Sequence, residues 1–134
     1  MGAALEVNLI GISYGYSLDQ RPLEVYGNLY LKTLYENMTE YRSYDMFYTA
    51  SPIAIGVGEM FRIDKTQWIV ISSSEPAWPR YIKLGGNLNI GGPRDKIISY
   101  SYTPNPQIHK VIFPNADSSI VVVAEYSITW KHYI

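Results

Sequence analysis

Apolar and polar residues alternate strictly from Pro22 to Leu34. Leu23, Val25, Leu29 and Leu31 share one parity with Gly27, while Glu24, Tyr26, Asn28, Tyr30 and Lys32 take the other. A repeat of two over this length predicts a half-buried β-strand, because successive side chains of an extended chain point to opposite faces. Its apolar face has to be covered by other strands.

The same alternation recurs along the chain. Leu5 to Tyr14 predicts a first strand whose parity switches after Leu9, and a bulge near Gly11 or burial of both faces accounts for the switch. Tyr35 to Ser51 has no clean period. It reads as a long loop with a brief strand, with a short helix over 36–44 as the other reading. Pro52 to Ile63 predicts a strand bent at Gly56 or Gly58. Asp64 to Gln67 has turn chemistry, and Trp68 to Ser72 reads as a short buried strand that completes a hairpin with it. Ser73 to Arg80 reads as a loop. Tyr81 to Ile90 alternates again, with Ile82, Leu84, Leu88 and Ile90 on one face. Lys96 to Tyr102, Ile108 to Phe113 and Ser119 to Ile134 complete the series.

About eight short strands with regular turn signals and little helix predict an all-β fold over a single domain, 1–134. The architecture expected is an antiparallel β-sandwich, C2-like or jelly-roll-like, with a barrel as the other closure.

Composition narrows the function. At 134 residues with 47% hydrophobic and 17% charged residues, the chain can bury a core and is not a disordered segment. The net charge is -1 with no basic block, so nucleic acid is not an expected partner. Cysteine is absent, which removes disulfides, thiolate metal sites and cysteine nucleophiles. The opening MGAALEVNLIGISYG has no basic stretch and is interrupted by Glu6, so it reads as a strand and not as a signal peptide. Glu6 also spoils a myristoylation signal. No apolar run reaches membrane-spanning length. The expectation is a soluble protein, with secretion left open. Asn37-Met38-Thr39 matches a glycosylation sequon.

Catalytic patterns are missing. His109 and His132 each sit in a strand pattern and are read as structural or surface residues. Asp45, Glu59, Asp64 and Glu75 are carboxylates that a fold could bring together, but no spacing singles them out. Asp19, Asp64, Asp95 and Asp117 stand alone in their turns, whereas calcium loops cluster their carboxylates. Gly56-x-Gly58 lacks a following helix and reads as a bend. Gly85-Gly86 and Gly91-Gly92 read as a bulge and a turn. No enzyme activity, metal or cofactor is expected.

Tyrosine is the outlying residue, 13 against 3 Phe. Its ring is apolar and its hydroxyl hydrogen-bonds, which suits half-wet surfaces. Tyr26 and Tyr30 lie on the polar face of the 22–34 strand with Asn28 between them. Trp78 and Tyr81 flank Arg80, and Tyr41 and Tyr44 flank Arg42. These eight residues, Tyr26, Asn28, Tyr30, Tyr41, Tyr44, Trp78, Arg80 and Tyr81, are the candidate ligand-binding set. The competing reading is that a second sheet or the 35–51 segment covers the rings.

PLEVYGNLYL, then PIAIGVGEMFRI, WIVIS and IKLGGNLNI, resembles the C2-like β-sandwich modules that accompany some plant and bacterial toxins. The likeness spans residues 5–102. It implies a non-enzymatic targeting or docking module. The clustered aspartates of calcium-dependent C2 domains are missing, so calcium-driven lipid binding is not implied. The expected partner is a glycan or membrane surface, or another protein. The alternative is a structural subunit that forms a homo-oligomer through edge strands, with the C-terminal run IVVVAEYSITW as the candidate edge.

Overall fold

The computed structural model describes residues 2–15, 22–71, 80–99, 106–114 and 121–133. Eight strands follow in order: β1 (Gly2–Tyr14), β2 (Leu23–Leu34), β3 (Glu40–Ile55), β4 (Met60–Ile71), β5 (Tyr81–Leu88), β6 (Gly92–Ser99), β7 (Gln107–Pro114) and β8 (Val121–Tyr133). They form two four-stranded antiparallel sheets. The first has the order β4-β1-β8-β7 and the second β3-β2-β5-β6. The fold is an all-β sandwich.

Alternation dictates the core. Leu5, Val7, Leu9 and Ile12 from β1 and Val122, Ala124, Tyr126 and Ile128 from β8 point inward from the first sheet. Val25, Leu29 and Leu31 from β2 and Ile82, Leu84 and Leu88 from β5 meet them from the second. The parity switch in β1 is a bulge: pairing with both β4 and β8 shifts register between Leu9 and Gly11. A side chain at Gly11 would collide with the Phe61 carbonyl, so glycine permits the close approach there.

Several expectations need correction. The 35–51 segment is neither helix nor loop beyond residue 39; it is most of β3, 16 residues long. Its pairing with β2 shifts register at three places, Val25/Gly27, Leu29/Tyr30 and Thr33/Leu34. Each shift moves the polar–apolar phase, so no single period survives. Met46 is the extra residue at the second shift, and it turns into the core.

Gly56 and Gly58 do not bend one strand. They make the turn between β3 and β4, closed by the Glu59 N–H donating to the Gly56 carbonyl at 3.0 Å. This turn carries the chain from the second sheet to the first, so the expected hairpin with Trp68 to Ser72 does not form. Asp64 to Gln67 is also not a turn. β4 runs through it, and Asp64, at φ 51°, sits in the bulge opposite the one in β1. Nor is the Trp68 segment buried throughout: Ile69 points inward, but Trp68 and Val70 face outward, 49% and 62% exposed.

The C-terminal run is not an edge. β8 lies between β1 and β7, and both of its sides are hydrogen-bonded. Burial on the inner face and paired neighbours explain its valine-rich start. β6 starts earlier than expected, at Gly92; Tyr100 and Tyr102 lie outside the described residues.

Candidate functional site

The outer face of the second sheet is built on the polar parity of β2. Residues directly opposite in antiparallel strands share a face, so the register defines rows across the sheet. Tyr48 of β3, Asn28 of β2 and Asn87 of β5 form one row, which continues to Pro93 of β6. Asp45, Tyr30, Gly85 and Asp95 form the next. Ser43, Lys32, Lys83 and Ile97 form the third. Tyr48 is 73% exposed and Tyr26 is 46% exposed. Asn87 is exposed and Asn28 is half-buried. Asn28 is therefore framed by tyrosines: Tyr26 and Tyr30 along its own strand, Tyr48 across from it.

Tyr30 is half-buried. Burial, with the Asp95 carboxylate as the next cause, raises its phenol above the usual tyrosine value. Gly85 stands between Tyr30 and Asp95 in the row and offers no side chain to separate them. The Lys32 ammonium lies 4.6 Å from the Tyr30 ring centroid, a cation–π contact. Lys32 also donates to Glu40 at 2.8 Å, and Lys83 faces Asp95 at 3.8 Å. The hydrogen bond to Glu40 holds the Lys32 ammonium protonated beyond its usual range. Two lysines that stand opposite each other would repel, and a flanking carboxylate offsets each.

The backbone under this face is fixed at one end by Asn89. Its Oδ1 accepts the Tyr26 N–H at 2.9 Å and its Nδ2 donates to the Glu24 carbonyl at 3.0 Å. Gly27, at φ 135°, packs so closely on β5 that an added Cβ would collide with the Asn87 carbonyl. Only glycine takes that conformation without strain.

Seven of the eight candidate residues are described, and they do not share one patch. Tyr26, Asn28 and Tyr30 share the outer face of the second sheet. Tyr41, Arg80 and Tyr81 lie at the other end of β2, where Tyr81 pairs with Leu34 and the Arg80 N–H donates to the Leu34 carbonyl at 2.8 Å, while Tyr44 stands opposite Leu31 on the inward parity. Tyr26 and Leu34 are roughly 26 Å apart at the usual rise of an extended strand. Tyr44 packs on the core. Tyr41 tilts against Tyr35, ring centroids 5.1 Å apart, and carries the Arg42 guanidinium 5.1 Å from its own ring centroid. Trp78 lies outside the described residues. Tyr48, Asn87 and Asn89 complete the face and were not singled out from the sequence. The bulges of β3 hid the first. The other two become visible only once β5 is known to lie beside β2.

The remaining titratable residues are dispersed. Asp64 is held by Arg62 at 2.9 Å, Asp45 lies on the outer face of the second sheet, and Glu59 is in the turn before β4. Glu75 and the His132 side chain lie outside the described residues. His109 of β7 points toward the sandwich interior opposite Tyr126, and burial, with Lys96 as a lesser cause, lowers its pKa. Among the described residues no group of three or more acidic or histidine side chains is placed to hold a metal ion, and no helix is long and apolar enough to cross a membrane.

Compared with protein-family models, with curated proteins and with solved structures, the chain yields no match.

Proposed function

We propose that the protein is a non-catalytic recognition module that binds a glycan or membrane surface through the outer face of its second sheet. The observation that carries this reading is the row Tyr48, Asn28, Asn87 with Tyr26 and Tyr30 beside it. Large aromatic side chains left in water on a rigid sheet have a solvation cost that a partner would relieve. Rigid strands present them without the ordering cost that a mobile loop incurs on binding. The resemblance to C2-like modules of toxins fits a targeting role beside another activity.

The test is retention on immobilised surfaces: insoluble polysaccharides, a glycan array, and vesicles of phosphatidylcholine with and without phosphatidylserine. Retention on at least one of them, weakened by Tyr48→Ala, is expected. A protein that passes through all of them, or whose retention ignores Tyr48→Ala, contradicts the reading.

A further inference from the structure

We infer that the ligand of this face is an uncharged glycan whose chain crosses the strands from β3 toward β6, with Tyr48 as its stacking platform and Asn28 and Asn87 reading its hydroxyls. The inference rests on the reading above and names the ligand class.

Three observations carry it. The first is the chemistry of the central row. A carboxamide donates two hydrogen bonds and accepts through its carbonyl oxygen, so it can engage neighbouring hydroxyls of opposite polarity at once. Asn28 and Asn87 stand directly opposite each other in adjacent strands. The apolar C–H face of a sugar ring needs a flat apolar partner, and the Tyr48 ring, 73% exposed at the end of the same row, provides one.

The second is charge. Lys32 and Lys83 project from this face, and each has a carboxylate partner, Glu40 and Asp95 respectively. A phosphate, sulfate or sialic acid carboxylate would have to displace those partners, and would meet Asp45 and Asp95 in the row beside Asn28. A neutral polyol meets no such penalty. A bilayer would require outward aliphatic side chains, and the central row has none.

The third is direction. Strands lie about 4.8 Å apart, so the row from Tyr48 to Asn87 spans about 10 Å, the reach of a short oligosaccharide and not of one ring. Along the strands the charged third row bounds the face; across them it stays uncharged as far as Pro93.

Isothermal titration with neutral hexasaccharides (of cellulose, chitin, xylan and mannan types) tests this, alongside sialyllactose, a heparin hexasaccharide and the same vesicles. Tyr48 and Asn87 are exposed, so Tyr48→Ala and Asn87→Ala should fold; circular dichroism verifies it. Binding of a neutral hexasaccharide is expected, insensitive to salt and weakened about tenfold or more by Tyr48→Ala. Binding of an acidic sugar or of vesicles that Tyr48→Ala abolishes would overturn the ligand class and leave the surface-binding reading standing. Neutral-sugar binding that survives both substitutions would overturn the assigned row. Binding to nothing in the panel would overturn the inference and the surface reading together.

Discussion

Asn89 continues the pairing of β5 with β2 one step past the end of the strand, through its bonds to Tyr26. Its backbone N–H donates to the Tyr26 carbonyl at 3.0 Å while its side-chain Oδ1 accepts the Tyr26 N–H at 2.9 Å. The side chain thus takes the place of a backbone acceptor at the position where β2 carries its exposed tyrosine. Asn89→Ala removes two hydrogen bonds near the surface and is expected to lower stability by about 1–2 kcal/mol in denaturant titration. Asn89→Asp keeps the acceptor for Tyr26 but sets a carboxylate oxygen against the Glu24 carbonyl in place of the donor, so it should not restore the lost stability.

Tyr126 is buried in β8, and its hydroxyl donates to the Tyr30 carbonyl in the opposite sheet at 3.3 Å. Burial, with Tyr30 as the lesser cause, holds this phenol protonated well above the ordinary tyrosine range. Above pH about 10 the unfolded chain ionises it while the folded chain keeps the proton, so stability falls as pH rises past that value. Tyr126→Phe should cost about 1 kcal/mol at neutral pH and flatten the alkaline decline. Chemical denaturation at a series of pH values measures both.

His109 acts at the acid side. Its folded pKa is lowered, so the unfolded state takes up the proton first as pH falls. Its effect is absent above the unfolded value of about 6.5, destabilises progressively below it, and levels off once the folded state is protonated too. His109→Gln should remove this component from the acid limb, a difference visible in unfolding midpoints between neutral and mildly acidic pH.

β7 is an edge strand, and on its outer face Ile108 and Ile112 are both more than half exposed on either side of Lys110. Lys110 pairs with Glu125 at 3.6 Å and puts a charge in the middle of an otherwise apolar edge. Such a charge opposes edge-to-edge pairing with a second chain. Lys110→Val should promote self-association, read as growth in mass with concentration by light scattering. A mass that does not grow with concentration would show that the edge is protected by other means.

The sequence was legible where alternation is unbroken. β2 and β5 keep one phase, and their inward residues were read correctly as Val25, Leu29, Leu31, Ile82, Leu84 and Leu88. β3 was illegible because its three bulges reset the phase, and the turn residues around Asp64 mark a bulge instead of a chain reversal. Turn chemistry alone does not separate these two, since an aspartate that tolerates positive φ serves some turns and some bulges alike. The β2 third of the candidate face could be read from Tyr26, Asn28 and Tyr30. Tyr48 and Asn87 come from strands distant in the chain, and only strand order brings them beside Asn28. The same holds for β8, whose apolar run gives no hint that it is flanked on both sides.

The most direct measurement is amide chemical-shift mapping by NMR during titration with the neutral hexasaccharides. Shifts should concentrate at Tyr26 to Tyr30, at Tyr48 and its neighbours, and at Gly85 to Asn87. Shifts confined to the outer face of β4, β1, β8 and β7, or none at saturating sugar, would contradict the assignment of this sheet as the binding face.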